Sequence, residues 1–288
     1  MSAPTVRRRR LGSKLRAFRD EAGFTLEEVA AKGAKQKLNP PKISRIESAR
    51  TAAKATDVEA LLDIYGVSDS DLRAALLTLT REGSKRGWWH SYKGALSPLY
   101  EDLISLEAEA SRISTFQYGL IPGLLQTAAY AKEAIGSTAM TAAIENRVDA
   151  LVEVRLARQV VLTRDEPLEL WAVIHESALK ATFLNTATMR DQLQRLIDRA
   201  LLPNVSIQVL PDGTALHPGV TGPFTILGFA EHRDLDVVHL ESLADALYVE
   251  DRERVQIYGQ GFERMQAAAL SFEDSLALIA ELKDANHE

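Results

Sequence analysis

Asn39-Pro40-Pro41-Lys42-Ile43-Ser44-Arg45-Ile46-Glu47 is the stretch whose reading settles what the first part of the chain is. Asn39 suits the cap of a helix, and Pro40 falls at the first helical position, where no amide donor is missed. Ile43 and Ile46 are three apart and face inward. Asn39, Lys42, Ser44, Arg45 and Ser48 are left on the outward and flanking faces. A short helix that is basic on one side and apolar on the other suits the major groove of DNA, which is wide enough to admit one. There Arg and Lys read guanine edges or grip phosphates, and Asn pairs with adenine.

Working outward, Leu11, Leu15 and Phe18 share a face of a helix expected from about Leu11 to Ala22, stopped by Gly23. Thr25 caps a second helix, and Glu28 three residues on completes a capping box. Val29 and Ala30 point inward, and Gly33 ends that helix. The connection from Ala34 to Leu38 carries Lys35 and Lys37. A fourth helix, Thr56 to Tyr65, turns Val58, Leu61, Leu62 and Tyr65 inward before Gly66. A fifth, capped by Ser68, carries Leu72, Ala75, Leu76 and Leu79 along one stripe. Ahead of the first helix, Arg7-Arg8-Arg9-Arg10 is either an arm that follows phosphates or a solvated terminus.

Gly23-Phe24-Thr25-Leu26-Glu27-Glu28-Val29-Ala30, Ile43-Ser44-Arg45-Ile46-Glu47 and Leu61-Leu62-Asp63-Ile64-Tyr65-Gly66 resemble the xenobiotic-response-element (XRE, Cro-like) helix-turn-helix family. The resemblance implies base reading by the helix that begins near Asn39. It also implies a partly buried ion pair between Arg19 and Glu47, which therefore belong to folding and not to recognition. The chain departs from the family in three places. Its turn between the second and third helices is longer, Pro40 and Pro41 replace polar residues, and Ala49 stands where glycine is usual, so that a positive φ there carries strain.

Charge divides the chain. Residues 1–56 hold fourteen Lys and Arg against five Asp and Glu, a balance of +9 within a chain of net charge −6. Such asymmetry fits a polyanion-binding head on an acidic body. Hydrophobic residues at 46% and charged ones at 26% are those of a globular protein, and no run is long and apolar enough to span a membrane. With no cysteine, disulfides and thiolate metal sites are excluded, which fits a cytoplasmic, nucleoid-associated protein. Thr25, Arg50 and Lys54, together with Arg8, Arg9 and Arg10, complete the expected DNA-contacting set.

Arg81 to Gly87 is charged, glycine-bearing and free of apolar residues, so it reads as a linker. The chain then divides into a mainly α helix-turn-helix domain of five helices at 1–80, the linker at 81–87, and an α+β domain at 88–288. Trp88, Trp89 and Tyr92 read as an aromatic plug opening the second core or as a ligand-stacking cage. Ser97-Pro98 starts a helix on which Leu99, Leu103, Leu106, Ala110 and Ile113 make a heptad-type seam, for its own core or for a dimer. A long helix is expected from Thr141 to Val161, carrying Arg147, Arg155, Arg158 and Gln159. Strands are expected at Leu168–Ile174, Val205–Leu210, Phe224–Phe229, Val237–Leu240 and Ala246–Val249, with helices at 187–202, 253–270 and 272–283. That order suggests a mixed, mostly antiparallel sheet with helices on one face.

Leu106-Glu107-Ala108-Glu109-Ala110, Ile121-Pro122-Gly123-Leu124-Leu125-Gln126-Thr127, Arg155-Leu156-Ala157-Arg158-Gln159, Gln208-Val209-Leu210-Pro211 and Gly222-Pro223-Phe224 resemble the domain of unknown function in the WhiJ-like group of actinobacterial regulators. That resemblance implies a small acidic partner protein encoded nearby, and it supplies no catalytic or ligand residues. No phosphate-cradling loop or nucleophile elbow is present, and the expectation is no enzyme, no cofactor and no metal. A metal site at His175, His217 and His239 is weighed and set aside, since scattered histidines at strand ends are more often structural. The turn-rich loop Pro211 to Gly219 and the Pro122 to Thr127 turn are the candidate rims of a ligand or partner site, with Trp88, Trp89, Gln126, Thr127 and His217 as its residues. The expectation is a sequence-specific transcriptional regulator that binds double-stranded DNA as a homodimer. The rivals are an enzyme, or a protein that sequesters a partner, with an accessory helix-turn-helix head.

Overall fold

The computed structural model describes residues 6–82, 87–92, 94–138, 142–180, 185–230, 233–242 and 245–285. They form two units. One takes in the described residues up to Trp88 and those of Ala230–Leu235, the other the remainder. Most of the expected linker lies outside the described residues.

The first unit is built from α1 (Val6–Glu21), α2 (Leu26–Lys32), α3 (Pro40–Glu47), α4 (Ala55–Tyr65) and α5 (Ser70–Glu82). Its core gathers Leu15, Val29, Ile43, Val58, Leu61, Leu62 and Leu76, each fully buried. Two ends differ from expectation. α1 starts more than a turn early, so the arginine run belongs to a helix and is no free arm. α5 is capped by Asp69, whose Oδ1 accepts from the amides of Asp71 and Leu72 at 3.0 Å, and not by Ser68. The long turn between α2 and α3 contains a single 3-10 turn, Ala34–Gln36, and Lys37 in the left-handed region, φ 57°. Its added length puts Leu38 back in the core against Gly33.

The second unit contains α6 (Pro98–Glu109), β1 (Arg112–Gln117), α7 (Ala128–Thr138), α8 (Ala142–Glu145), α9 (Val148–Arg158), β2 (Glu169–His175), α10 (Glu176–Leu179), α11 (Thr186–Ala200), β3 (Val205–Leu210), β4 (Phe224–Gly228), β5 (Val237–Glu241), β6 (Ala246–Val249), α12 (Arg252–Ala268) and α13 (Phe272–Ala285). The six strands lie in the order β3-β2-β1-β4-β5-β6. β1, β2 and β3 run parallel, and β4, β5 and β6 continue antiparallel from β1. The sheet is mixed and mostly antiparallel in its pairings.

Three sequence readings are corrected here. β1 is the central strand, and the heptad seam had absorbed it: α6 stops at Glu109 because Ala110 turns to extended backbone, φ −62° and ψ 141°. Leu103, Leu106 and Ala110 are buried within this unit, so they form no exposed dimer seam. The long helix expected from Thr141 is interrupted, with α9 beginning only at Val148. Helices cover both faces of the sheet, not one. Because strand side chains alternate, Phe116, Val173, Phe224, Val238 and Val249 share a face and pack on Phe262 and Met265 of α12. Ile113, Thr115, Gln117, Leu170, Thr225 and His239 share the other, toward α6, α7 and α9.

Candidate nucleic-acid interface and candidate ligand cavity

In the first unit α3 is held from behind and exposed in front. Ile43 and Ile46 are 0% and 3% exposed, and Ser44, Arg45 and Ser48 lie on the open side. Asn39 caps the helix, its Oδ1 accepting from the Lys42 amide at 2.9 Å. That leaves its side-chain amide hydrogens as donors. Pro40 and Pro41 remove two of the amides that a helix N-terminus ordinarily offers an anion. Polar contact to a duplex therefore falls on side chains.

Arg45 is exposed, and its Nε donates to Pro41 O at 3.1 Å. That bond leaves both terminal nitrogens, the pair that reads a guanine edge, without a hydrogen-bond partner among the described residues. Lys42 is placed differently. It is half-buried, with Nζ 2.7 Å from Oδ1 of Asp57, itself 6% exposed on α4. To reach a base it must leave that partner. Lys35, Lys37, Arg50 and Lys54 are all exposed around α3. Thr25 is exposed but its hydroxyl is occupied, accepting from the Glu28 amide at 3.2 Å and donating to Glu28 Oε2 at 3.0 Å. Arg8 and Arg9 are half-buried and engaged within the structure. Arg10 is 2% exposed and donates from Nη2 to Leu235 O at 2.7 Å. None of these three arginines is a free arm, and Arg10 is drawn into the first unit's packing.

Arg19 holds Glu47 by two parallel bonds, Nε to Oε1 at 2.8 Å and Nη2 to Oε2 at 3.0 Å. The hydrogen bond to Glu47 raises the Arg19 pKa against the opposing effect of burial. Tyr65 adds its hydroxyl to Glu47 at 3.4 Å, and burial, then the Glu47 charge, pushes that phenol well up. Ala49 has φ 58°, the strained conformation expected where glycine is absent.

The second unit has a half-open cavity of about 440 Å³, bounded by α6, α9, the Ile121–Gln126 turn and the inner face of β1, β4 and β5. Arg158 and Glu107, 6% and 4% exposed, form its base. Arg158 donates from Nε to Oε2 at 2.7 Å and from Nη2 to Oε1 at 2.5 Å, and from Nη1 to the Tyr100 hydroxyl at 2.6 Å. Burial works to lower the Arg158 pKa, yet the charges of Glu107 and Tyr100 and their hydrogen bonds together outweigh it and raise it. Arg155, one helical turn back on α9, donates from Nη1 to Gln126 Oε1 at 2.9 Å. Gln126 is fixed in turn by donating to Ile121 O at 2.7 Å. Thr115 and Thr225 face each other across β1 and β4, hydroxyls 2.9 Å apart, and Gln117 donates to Thr115 at 3.1 Å. His239 beside them is 7% exposed, and burial, helped by the Arg158 charge, lowers its pKa to about 4.

Of the five residues expected at a ligand or partner site, only Gln126 lines this cavity. Thr127 serves the start of α7, its hydroxyl accepting from the Tyr130 amide at 3.2 Å. Trp89 packs on the cluster of Leu96, Ile104 and Val154, a plug and no cage, while Trp88 is 38% exposed in the first unit. His217 lies on the far side of the sheet, its ring edge-on to Phe116 at 5.9 Å and 6.2 Å from that of His175. The Pro211–Gly219 loop therefore does not rim the cavity, whereas the Pro122 turn does. His239 on one face and His175 with His217 on the other are not brought together. Among the described residues there is no group of three or more His, Asp or Glu placed to hold a metal.

Apart from Gln126 and the Pro122 turn, the cavity's residues went unassigned in the sequence, although Arg155 and Arg158 at a spacing of three already share a helix face. Thr115 belonged to the missed strand, and nothing local couples Glu107 to a residue 51 positions away. A family model described as Helix-turn-helix domain matches residues 10–76. Another, described as Domain of unknown function (DUF5753), matches residues 100–281, more than half of the chain. No curated protein and no solved structure matches it.

Proposed function

The chain belongs to the DUF5753 family and carries a helix-turn-helix domain ahead of it, and from that premise we propose that it is a sequence-specific transcriptional regulator. The observation that carries the reading is the Arg45 guanidinium, presented outward from a helix that Ile43 and Ile46 anchor from behind. Asn39, Ser44 and Arg45 supply base contacts. Lys35, Lys37, Arg50 and Lys54 neutralise phosphates and set the affinity. Lys42 joins the contact set when it exchanges Asp57 for the duplex.

A single head of this size covers little surface, so the regulator works as a homodimer on two half-sites about one helical turn apart. Its second unit binds a small effector and performs no chemistry. The cavity's charged groups support this, since Glu107 and Arg158 neutralise each other and His239 stays neutral at ordinary pH. No helix among the described residues is long and apolar enough to cross a membrane, in keeping with work on DNA inside the cell.

Selection of bound fragments from a random duplex pool by the full chain, followed by footprinting of the winners, tests the proposal. Two protected half-sites separated by about one turn are expected. Retention of the whole pool without enrichment would refute sequence specificity, and a single protected half-site would refute the dimer. The resemblance implies a small acidic partner, and repeating the footprint with neighbouring gene products tests whether a protein partner changes it.

A further inference from the structure

The second unit contains three chemically distinct linings around one space. Leu103, Ile113, Ile121 and Leu124 make an apolar wall, and all four are buried. Thr115, Thr225 and Gln117 make a short polar stripe on the sheet. Arg155 and Arg158 bring two guanidinium groups to the Pro122-Gly123 turn, and a side chain on Gly123 would stand 3.9–4.0 Å from both. The volume, about 440 Å³, falls within the ordinary range of small-molecule sites.

The lining's formal charges balance, Arg155 and Arg158 against Glu107 and Glu241, but they are not all paired. Arg158 is matched by Glu107, but Arg155 has only the neutral oxygen of Gln126. No carboxylate lies within ion-pair distance of Arg155 among the described residues, and its Nε is buried without a hydrogen-bond partner. Arg155 as a whole is half-buried, so its guanidinium is only partly hydrated and has no counter-charge of its own. The chain itself shows what the edge formed by Nε and Nη2 is suited to. In both Arg19 and Arg158 that edge grips a carboxylate by two parallel bonds, the geometry that makes Arg a carboxylate-binding residue.

We infer that the cavity binds a small monocarboxylate with an apolar body, its charge on Arg155 and its body against Leu103, Ile113, Ile121 and Leu124. One negative charge suffices, because of the two lining arginines only Arg155 lacks an ion-pair partner. The hydroxyls of Thr115 and Thr225 select among bodies that carry a polar group. The inference deepens the effector-sensing part of the proposed function and rests on it only for its consequence, a change in DNA binding.

The test is calorimetric titration of the full chain, without DNA, using octanoate, 3-phenylpropionate and indole-3-acetate, each against its uncharged alcohol counterpart. At least one acid should bind ten times or more tighter than its alcohol. Arg155→Met should abolish that difference, and Arg155→Lys should retain part of it, since the charge survives and the fork is lost. Should either variant fail to fold, the acid-to-alcohol comparison on the unaltered chain still decides the matter. Equal affinities for acid and alcohol, or no binding of any acid at millimolar concentration, would overturn the inference. A chain that binds the acid but no operator keeps this site and loses the regulatory reading, and the converse result separates them the other way.

Discussion

Arg19 and Arg158 each grip a glutamate across Nε and Nη2, one in each unit. In both pairs the partners are distant in sequence and mostly withdrawn from water, with side-chain exposures of 13% and 5% for Arg19 and Glu47. Replacing such a pair by apolar groups can be neutral, whereas removing one member strands the other. Glu47→Ala is therefore expected to destabilise the first unit by roughly 3–5 kcal/mol, read by urea unfolding. A loss under about 1 kcal/mol would mean that the pair behaves as an exposed one. The Arg19 pair was legible beforehand because the surrounding residues match a known helix-turn-helix pattern. The Arg158 pair was not, since a charged residue on a helix reads by default as solvated and only the fold brings Glu107 beneath it.

Among the elements, α3 is placed by its contact with α1 as much as by its own stripe. A Cβ on Gly12 would lie 2.5 Å from the carbonyl oxygen of Glu47 and 2.7 Å from that of Ile46. Those are backbone atoms and cannot swing aside. Gly12→Ala should push α1 off the end of α3 and destabilise the unit by about 1–3 kcal/mol, in spite of the better helix propensity of alanine. Thermal unfolding of that variant measures it, and a rise in Tm would show that the two helices have room to spare.

Helix ends with a chemical signal, such as Thr25, Asn39 and Gly66, were readable in the sequence. β1 was not. It follows α6 with no glycine or proline between, and Ile113 and Phe116 keep a helical spacing although they point to opposite faces of a strand. The break before α9 was hidden in the same way, inside an apolar pattern that runs on while the backbone does not.

Taken whole, the chain pairs a basic first part with an acidic remainder, and that division was plain from composition. What composition hid is the second unit's internal balance, in which a buried pair of Arg158 and Glu107, a half-buried Arg155 and a neutral imidazole surround a cavity. His239 gives that unit a pH dependence. Its folded pKa, about 4, lies below the usual value for histidine, so the unfolded chain binds more protons between about pH 4 and 6.5. Stability from this group is complete above about pH 6.5 and is lost as the pH falls toward 4. His239→Gln should flatten the fall in stability over that window, and an unchanged slope would show that the imidazole is not the group responsible.

The division of labour around α3 is tested by one comparison, the affinities of the Arg45→Ala and Lys54→Ala proteins for a selected operator and for a random duplex at fixed salt. Arg45→Ala should weaken the operator by about 1–3 kcal/mol and barely change the random duplex, while Lys54→Ala should weaken both by the same factor. Equal losses on the two duplexes in both variants would contradict base reading by Arg45.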